Sequence, residues 1–185
     1  MASLLPRGAA RLLRGAALAA AFLAVHADGA GPPAADPGWV PFEASLSASG
    51  QRQVLKAGRF EAATTHVSGS FTVRRGEGLR KGFRGEALLY GDGRDAGVGT
   101  LVLTDDRGDQ IACSLVGDAA RGGTVVRATI RGGTGRYEGI VGEFTFVWRY
   151  LVRTPEGDVS GVSESAAGRF RFPPGAPKPG PEVRP

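Results

Sequence analysis

Phe144, Phe146, Trp148 and Tyr150 recur at every second position. Alternate residues share one face of a β-strand, so these aromatics form a stripe. Val152 continues it, and Glu143, Thr145, Val147, Arg149 and Leu151 take the other face. A stripe of this kind either packs a core, whose energetics aromatics dominate, or lines a lumen that holds a ligand. In a lumen, the polar tips of Trp148 and Tyr150 would meet the ligand's polar end. Cys113 shares a face with Ile111 and Leu115. There it acts as a small buried hydrophobe, and without an adjacent His, Lys or Arg it gains no thiolate character. It joins the four aromatics as a candidate ligand-binding residue, not as a nucleophile.

Other reactive types are sparse. Beyond residue 27 the only histidine is His66, in a Thr- and Ser-rich stretch without a nucleophile elbow; an exposed strand-end residue is the expectation. A transition metal would need several converging ligands, so no metal site and no cofactor is expected. The acidic stretch Asp105-Asp106-Arg107-Gly108-Asp109 lacks the spacing and terminal Glu of a helix–loop–helix calcium site; a turn closed by Asp side chains accounts for it. It also contains Arg-Gly-Asp, a tripeptide that recurs by chance. Gly132-Gly133-Thr134-Gly135 lacks the lysine and following helix of a phosphate loop and reads as a tight hairpin. Two carboxylates fall on predicted strands. Glu143 lies opposite the aromatics and faces solvent. Glu164 shares parity with Phe170 and Phe172 and points inward if no bulge intervenes, which makes it the one candidate catalytic acid or base.

The elements that carry these residues read as strands. Phe83, Gly85, Ala87 and Leu89 alternate with Arg84, Glu86, Leu88 and Tyr90. Val126, Ala128 and Ile130 alternate with Val125, Arg127, Thr129 and Arg131, and Phe170 and Phe172 with Arg169 and Arg171. Such alternation sets one face on a core and the other toward water. Turn signals separate the runs at Gly91-Asp92-Gly93, Asp105–Asp109, Arg121-Gly122-Gly123, Gly132–Gly135 and Pro155-Glu156-Gly157. Short links make antiparallel hairpins, because parallel strands need long crossovers. About eight strands follow, near 40–48, 59–74 (one strand or two), 82–90, 97–104, 109–117, 124–131, 142–153 and 158–172. The 30 glycines among 185 residues disfavour a helical bundle and suit frequent turns. The fold class is all-β, and closure into a barrel resolves the exposed edges.

At the N-terminus, Arg7, Arg11 and Arg14 precede the apolar run Ala16–Val25, with small residues at Val25 and Ala27 before a cleavage point after Ala27. This reads as a secretory signal over residues 1–27 and a secreted or periplasmic location; an uncleaved anchor or a transit peptide share these traits. The run is too short for a membrane span. Residues 28–38 read as a flexible linker, 39–172 as the folded domain, and 173–185, rich in proline, as a disordered tail. Without residues 1–27 the formal charge falls from +5 to +2, which gives no drive toward nucleic acid. A single cysteine after the leader precludes an internal disulfide, so the domain stands on its core.

Gly99–Ile111 resembles a strand–turn–strand stretch of bacterial exported proteins in the allene oxide cyclase barrel-like group. Ala128–Gly139, which contains Gly132-Gly133-Thr134-Gly135-Arg136-Tyr137, resembles a hairpin shared by that group and the plant dirigent proteins. The resemblance, over roughly Gly97–Phe146, implies an eight-stranded antiparallel barrel, often with an apolar internal cavity. It also implies relatives that isomerise or guide apolar intermediates without metal or nucleotide. The leading expectation is an exported barrel that binds a small apolar ligand without catalysis. The alternatives are a cofactor-free cyclase or isomerase using Glu164, and a structural or surface module whose basic outward residues form the contact. A lumen of roughly 300 Å³ or more supports binding, an inward carboxylate within it supports the enzyme, and a filled interior leaves interaction.

Overall fold

The structure, a computed structural model, describes residues 38–92 and 96–174. The expected leader, the linker up to Pro37, Gly93 of the first turn, and residues 175–185 of the tail lie outside the described residues. Eight strands run in order: β1 (Val40–Ala57), β2 (Phe60–Arg75), β3 (Gly82–Gly91), β4 (Gly97–Thr104), β5 (Gln110–Ala120), β6 (Gly123–Gly133), β7 (Val141–Arg153) and β8 (Asp158–Arg171). Each pairs antiparallel with the next, and β8 returns to β1 from Val40↔Phe170 to Gln51↔Asp158, so the barrel is closed and eight-stranded. The run expected near 59–74 forms one strand, β2, and β1 extends well past the expected end at residue 48.

Inward residues are odd-numbered on β2–β5 and even-numbered on β1, β6 and β7. On β8 the parity changes midway. Val159, Gly161 and Ser163 face in, then Ala166 and Phe170, because Glu164 and Ser165 bulge between the pairs Leu46↔Ser163 and Ala44↔Ala166. One extra residue opposite a regular partner strand turns everything beyond it by one position.

One half of the barrel is packed solid. Phe42, Phe71, Phe83, Phe144 and Phe170 fill it. Phe144 meets Phe42 at 5.6 Å and Phe71 at 5.7 Å, edge to face, and Phe71 meets Phe83 at 6.1 Å, the geometry ring quadrupoles favour. This end is plugged by the β6–β7 connection. The connection is not the tight hairpin that its glycines imply: it carries a 3-10 turn at Gly135–Tyr137, the one helical element among the described residues. Gly135 has a φ of +55° and its α-carbon abuts the Asp109 carboxylate, so both conformation and space exclude a side chain there. The detour places Tyr137 and Ile140, both fully buried, across the barrel end.

The acidic turn anchors this plug. Asp105 Oδ1 accepts the backbone N–H groups of Arg107 (2.9 Å) and Asp109 (3.0 Å), and Oδ2 accepts the Tyr137 hydroxyl (3.1 Å). Asp109 in turn accepts the N–H of Arg136 at 3.3 Å, so the Arg-Gly-Asp carboxylate is engaged in structure. Burial, and secondarily the nearby Asp105 charge, pushes the Tyr137 hydroxyl above its usual range, against opposing effects of the Arg80 backbone and the Arg136 guanidinium.

Candidate functional site

The other half of the barrel is open, and the cause is side-chain size. Where the plugged half has Phe42, Phe71 and Phe83 facing inward, β1–β3 continue with Ala48, Ala63, Gly69, Gly85 and Ala87. The facing wall keeps bulk in Leu101, Leu115, Val126, Phe146 and Trp148. Small residues against large ones leave a cavity of about 130 Å³, open toward the end formed by the β1–β2, β3–β4, β5–β6 and β7–β8 links. This is below the roughly 300–1,000 Å³ of sites for drug-sized ligands. It is close to the roughly 150 Å³ that takes up benzene in an engineered apolar cavity. The interior is thus half filled and half open, with room for a single ring.

The aromatic stripe divides between the two halves. Phe146, Trp148 and Tyr150 line the cavity. Phe144 is buried in the packed half, stacked on Phe146 at 6.0 Å. Trp148 packs against Gly161 of β8, where any side chain would collide with the indole and with the Arg149 carbonyl. Tyr150 meets Trp148 edge to face at 6.0 Å, and the Arg153 guanidinium covers its outer side, 4.0 Å from the ring centre. Val152 does not continue the stripe. The β7–β8 register shifts between Tyr150 and Val152, and Val152 is 49% exposed at the rim. Cys113 is buried between its cross-strand partners Leu101 and Ile130 and does not line the cavity. Burial pushes its thiol up to about 12, so it stays protonated and unreactive at neutral pH.

Glu164 is corrected by the bulge that carries it. The extra residue in β8 turns its carboxylate outward, where it is 77% exposed and pairs with Arg149 at 3.1 Å. Glu143 is outward and pairs with Arg169 at 2.8 Å. His66 is exposed but lies in mid-strand, 3.0 Å from Glu86. Other outward arginines are likewise paired, Arg127 with Asp118 and Arg75 with Glu43. Among the described residues no three His, Cys, Asp or Glu converge as metal ligands do.

Arg52 is a cavity residue that the sequence pattern did not single out. It follows Phe42, Ala44, Leu46 and Ala48 on the inward parity of β1 and reaches the mouth with its side chain only 13% exposed. Among the described residues it is the one ionised side chain lining the cavity. Parity counted from Phe42 would have found it, but the intervening Ser45–Gln53 has too little hydrophobic contrast to mark a strand. Comparison with protein-family models, curated proteins and solved structures finds no match to this chain.

Proposed function

We propose that this protein is an exported carrier or sensor that holds a small, single-ring apolar molecule in the open half of its barrel, without catalysis. The observation that supports this reading is the largely apolar, open-ended cavity of about 130 Å³ between Ala87, Leu101, Leu115, Val126, Phe146 and Trp148. Apolar walls favour a ligand body that leaves water, and polar groups at the rim fix its orientation. With Glu164 outside, the cavity lining offers no carboxylate, imidazole or thiol among the described residues for acid–base work. Membership of the allene oxide cyclase barrel-like group is part of the same proposal, resting on the two stretches that resemble it and on the closed eight-stranded architecture. Export rests on the Arg7–Arg14 cluster before Ala16–Val25; secreted material would begin at or near Asp28.

The test uses tryptophan fluorescence. Trp39 lies apart from the cavity lining, with Arg169 and Arg171 over its ring at 4.6 and 4.8 Å. Trp39→Phe therefore leaves Trp148 as the only emitter. Titration with monocyclic phenols and terpenoids shifts or quenches Trp148 saturably, and long-chain fatty acids bind more weakly because the cavity holds about one ring. Absence of any saturable response, with Trp148 already emitting as a packed indole, overturns the reading.

A further inference from the structure

We infer that the ligand is an uncharged ring with a hydrogen-bonding oxygen at each of two ends, held between the hydroxyls of Thr65 on β2 and Thr124 on β6. This rests on the cavity reading above and adds the ligand's polar groups and the residues that read them. Among the described residues four polar or charged side chains are buried: Thr65, Asp105, Thr124 and Ser163. Asp105 holds the plug through Tyr137, and the Ser163 hydroxyl donates to the Ser165 carbonyl at 3.1 Å within the β8 bulge. The two threonines remain. Both line the cavity, at 9% and 8% exposure, and neither hydroxyl has a hydrogen-bond partner among the described residues. An added Cβ at Gly117 would sit 3.0 Å from the Thr124 Cγ2 methyl, so the methyl, not the hydroxyl, is turned toward β5.

Valine has the shape of threonine and would complete this apolar wall without a hydroxyl to satisfy. Water can serve such a hydroxyl, and a ligand oxygen in the same place replaces it without loss. The strands β2 and β6 lie four apart in either direction around the eight-stranded barrel. The two hydroxyls therefore stand on opposite walls, with the space for one ring between them, and each meets a different end of the ligand. Each hydroxyl both donates and accepts, so hydroxyl and carbonyl oxygens both fit. The ligand is uncharged because the lining offers it no free ion: Arg52, the one ionised residue there, has partners of its own within the protein, Glu61 among them.

The test compares hydroquinone, kept reduced under argon, with p-xylene, which has the same shape and no oxygen, on the purified full chain by calorimetry. Thr65→Val and Thr124→Val each lower the affinity for hydroquinone relative to p-xylene by at least about five-fold. Thr65→Ser and Thr124→Ser, which keep the hydroxyl, hold that ratio within about two-fold of the parent's. Thr65→Ala and Thr124→Ala carry the test through the same ratio if a valine variant does not fold. A ratio unchanged by removal of either hydroxyl, or p-xylene binding to the parent without hydroquinone, overturns the threonine assignment while the cavity reading stands. Failure of both compounds to bind overturns the cavity reading as well.

Discussion

Replacing Phe144 with alanine removes a ring that touches others on three sides, at 5.6 Å (Phe42), 5.7 Å (Phe71) and 6.0 Å (Phe146). Nothing in the plugged half can collapse into the space, because Tyr137 and Ile140 close the end above it. The void left by a phenyl ring is roughly 80–100 Å³, which at about 24 cal/mol per Å³ costs about 2 kcal/mol. Lost transfer free energy adds about 2 kcal/mol. The total, about 4 kcal/mol, lies in the middle of the range for Phe→Ala in cores. Phe146 is buried too, but one side of its ring already borders the cavity. Phe146→Ala enlarges an existing space and costs about 3 kcal/mol. Arg149→Ala, on the outer face of the same strand with one exposed partner in Glu164, costs within about 0.5 kcal/mol. Urea titrations of the three variants, compared at equal m-values, measure the order directly. If Phe146→Ala costs as much as Phe144→Ala, or both cost under about 1 kcal/mol, the division of the barrel into a packed and an open half is wrong.

Tyr137→Phe removes one charge-assisted donor from buried Asp105 and leaves the two backbone donors in place; it lowers stability by about 2 kcal/mol, and a loss under about 0.5 kcal/mol in denaturant titration shows that the plug is held by packing alone. At Gly85 an added Cβ would sit 3.5 Å from Leu103 Cδ2 and 3.6 Å from Leu101 Cδ1, ordinary contact distances. Gly85→Ala therefore stabilises the barrel by about 0.5–1 kcal/mol, whereas Gly85→Leu fills the cavity and abolishes the Trp148 response to ligand. Burial raises Cys113 from 9.0 to about 12. Between those values the unfolded chain loses the proton and the folded chain keeps it, so stability is full below about pH 9 and declines as pH rises through that window. Tyr137, also raised, acts in the same direction above its ordinary value. Denaturation midpoints that stay level or rise from pH 9 to pH 11 contradict this.

Strands with large alternating side chains were legible in the sequence. Phe83 to Tyr90, Val125 to Arg131 and Glu143 to Arg149 fall on the faces that period two assigns. The lumen was not legible, for a physical reason: a cavity exists where inward side chains are small, and small side chains produce no hydrophobic contrast. Ala48, Gly69 and Gly85 mark its floor, and the same weakness in Ser45–Gln53 hid the continuation of β1 and with it the inward Arg52. The bulge at Glu164–Ser165 carries no Gly or Pro signal, so parity counted back from Phe170 put Glu164 on the wrong face. Tyr137 was read as part of a glycine-rich turn. An aromatic among four glycines, with Ile140 close behind, was the available sign that the loop folds over the barrel end.

The most direct test of the cavity is methyl NMR of the intact protein titrated with p-cresol. Binding in the open half shifts the methyl resonances of Leu46, Leu89, Leu101, Leu115 and Val126 saturably and together. The outward methyls of Leu88, Val98 and Leu151, exposed on the barrel surface, stay in place. Shifts confined to those outer residues, or no saturable shift at all, would contradict the existence of a ligand site inside this barrel.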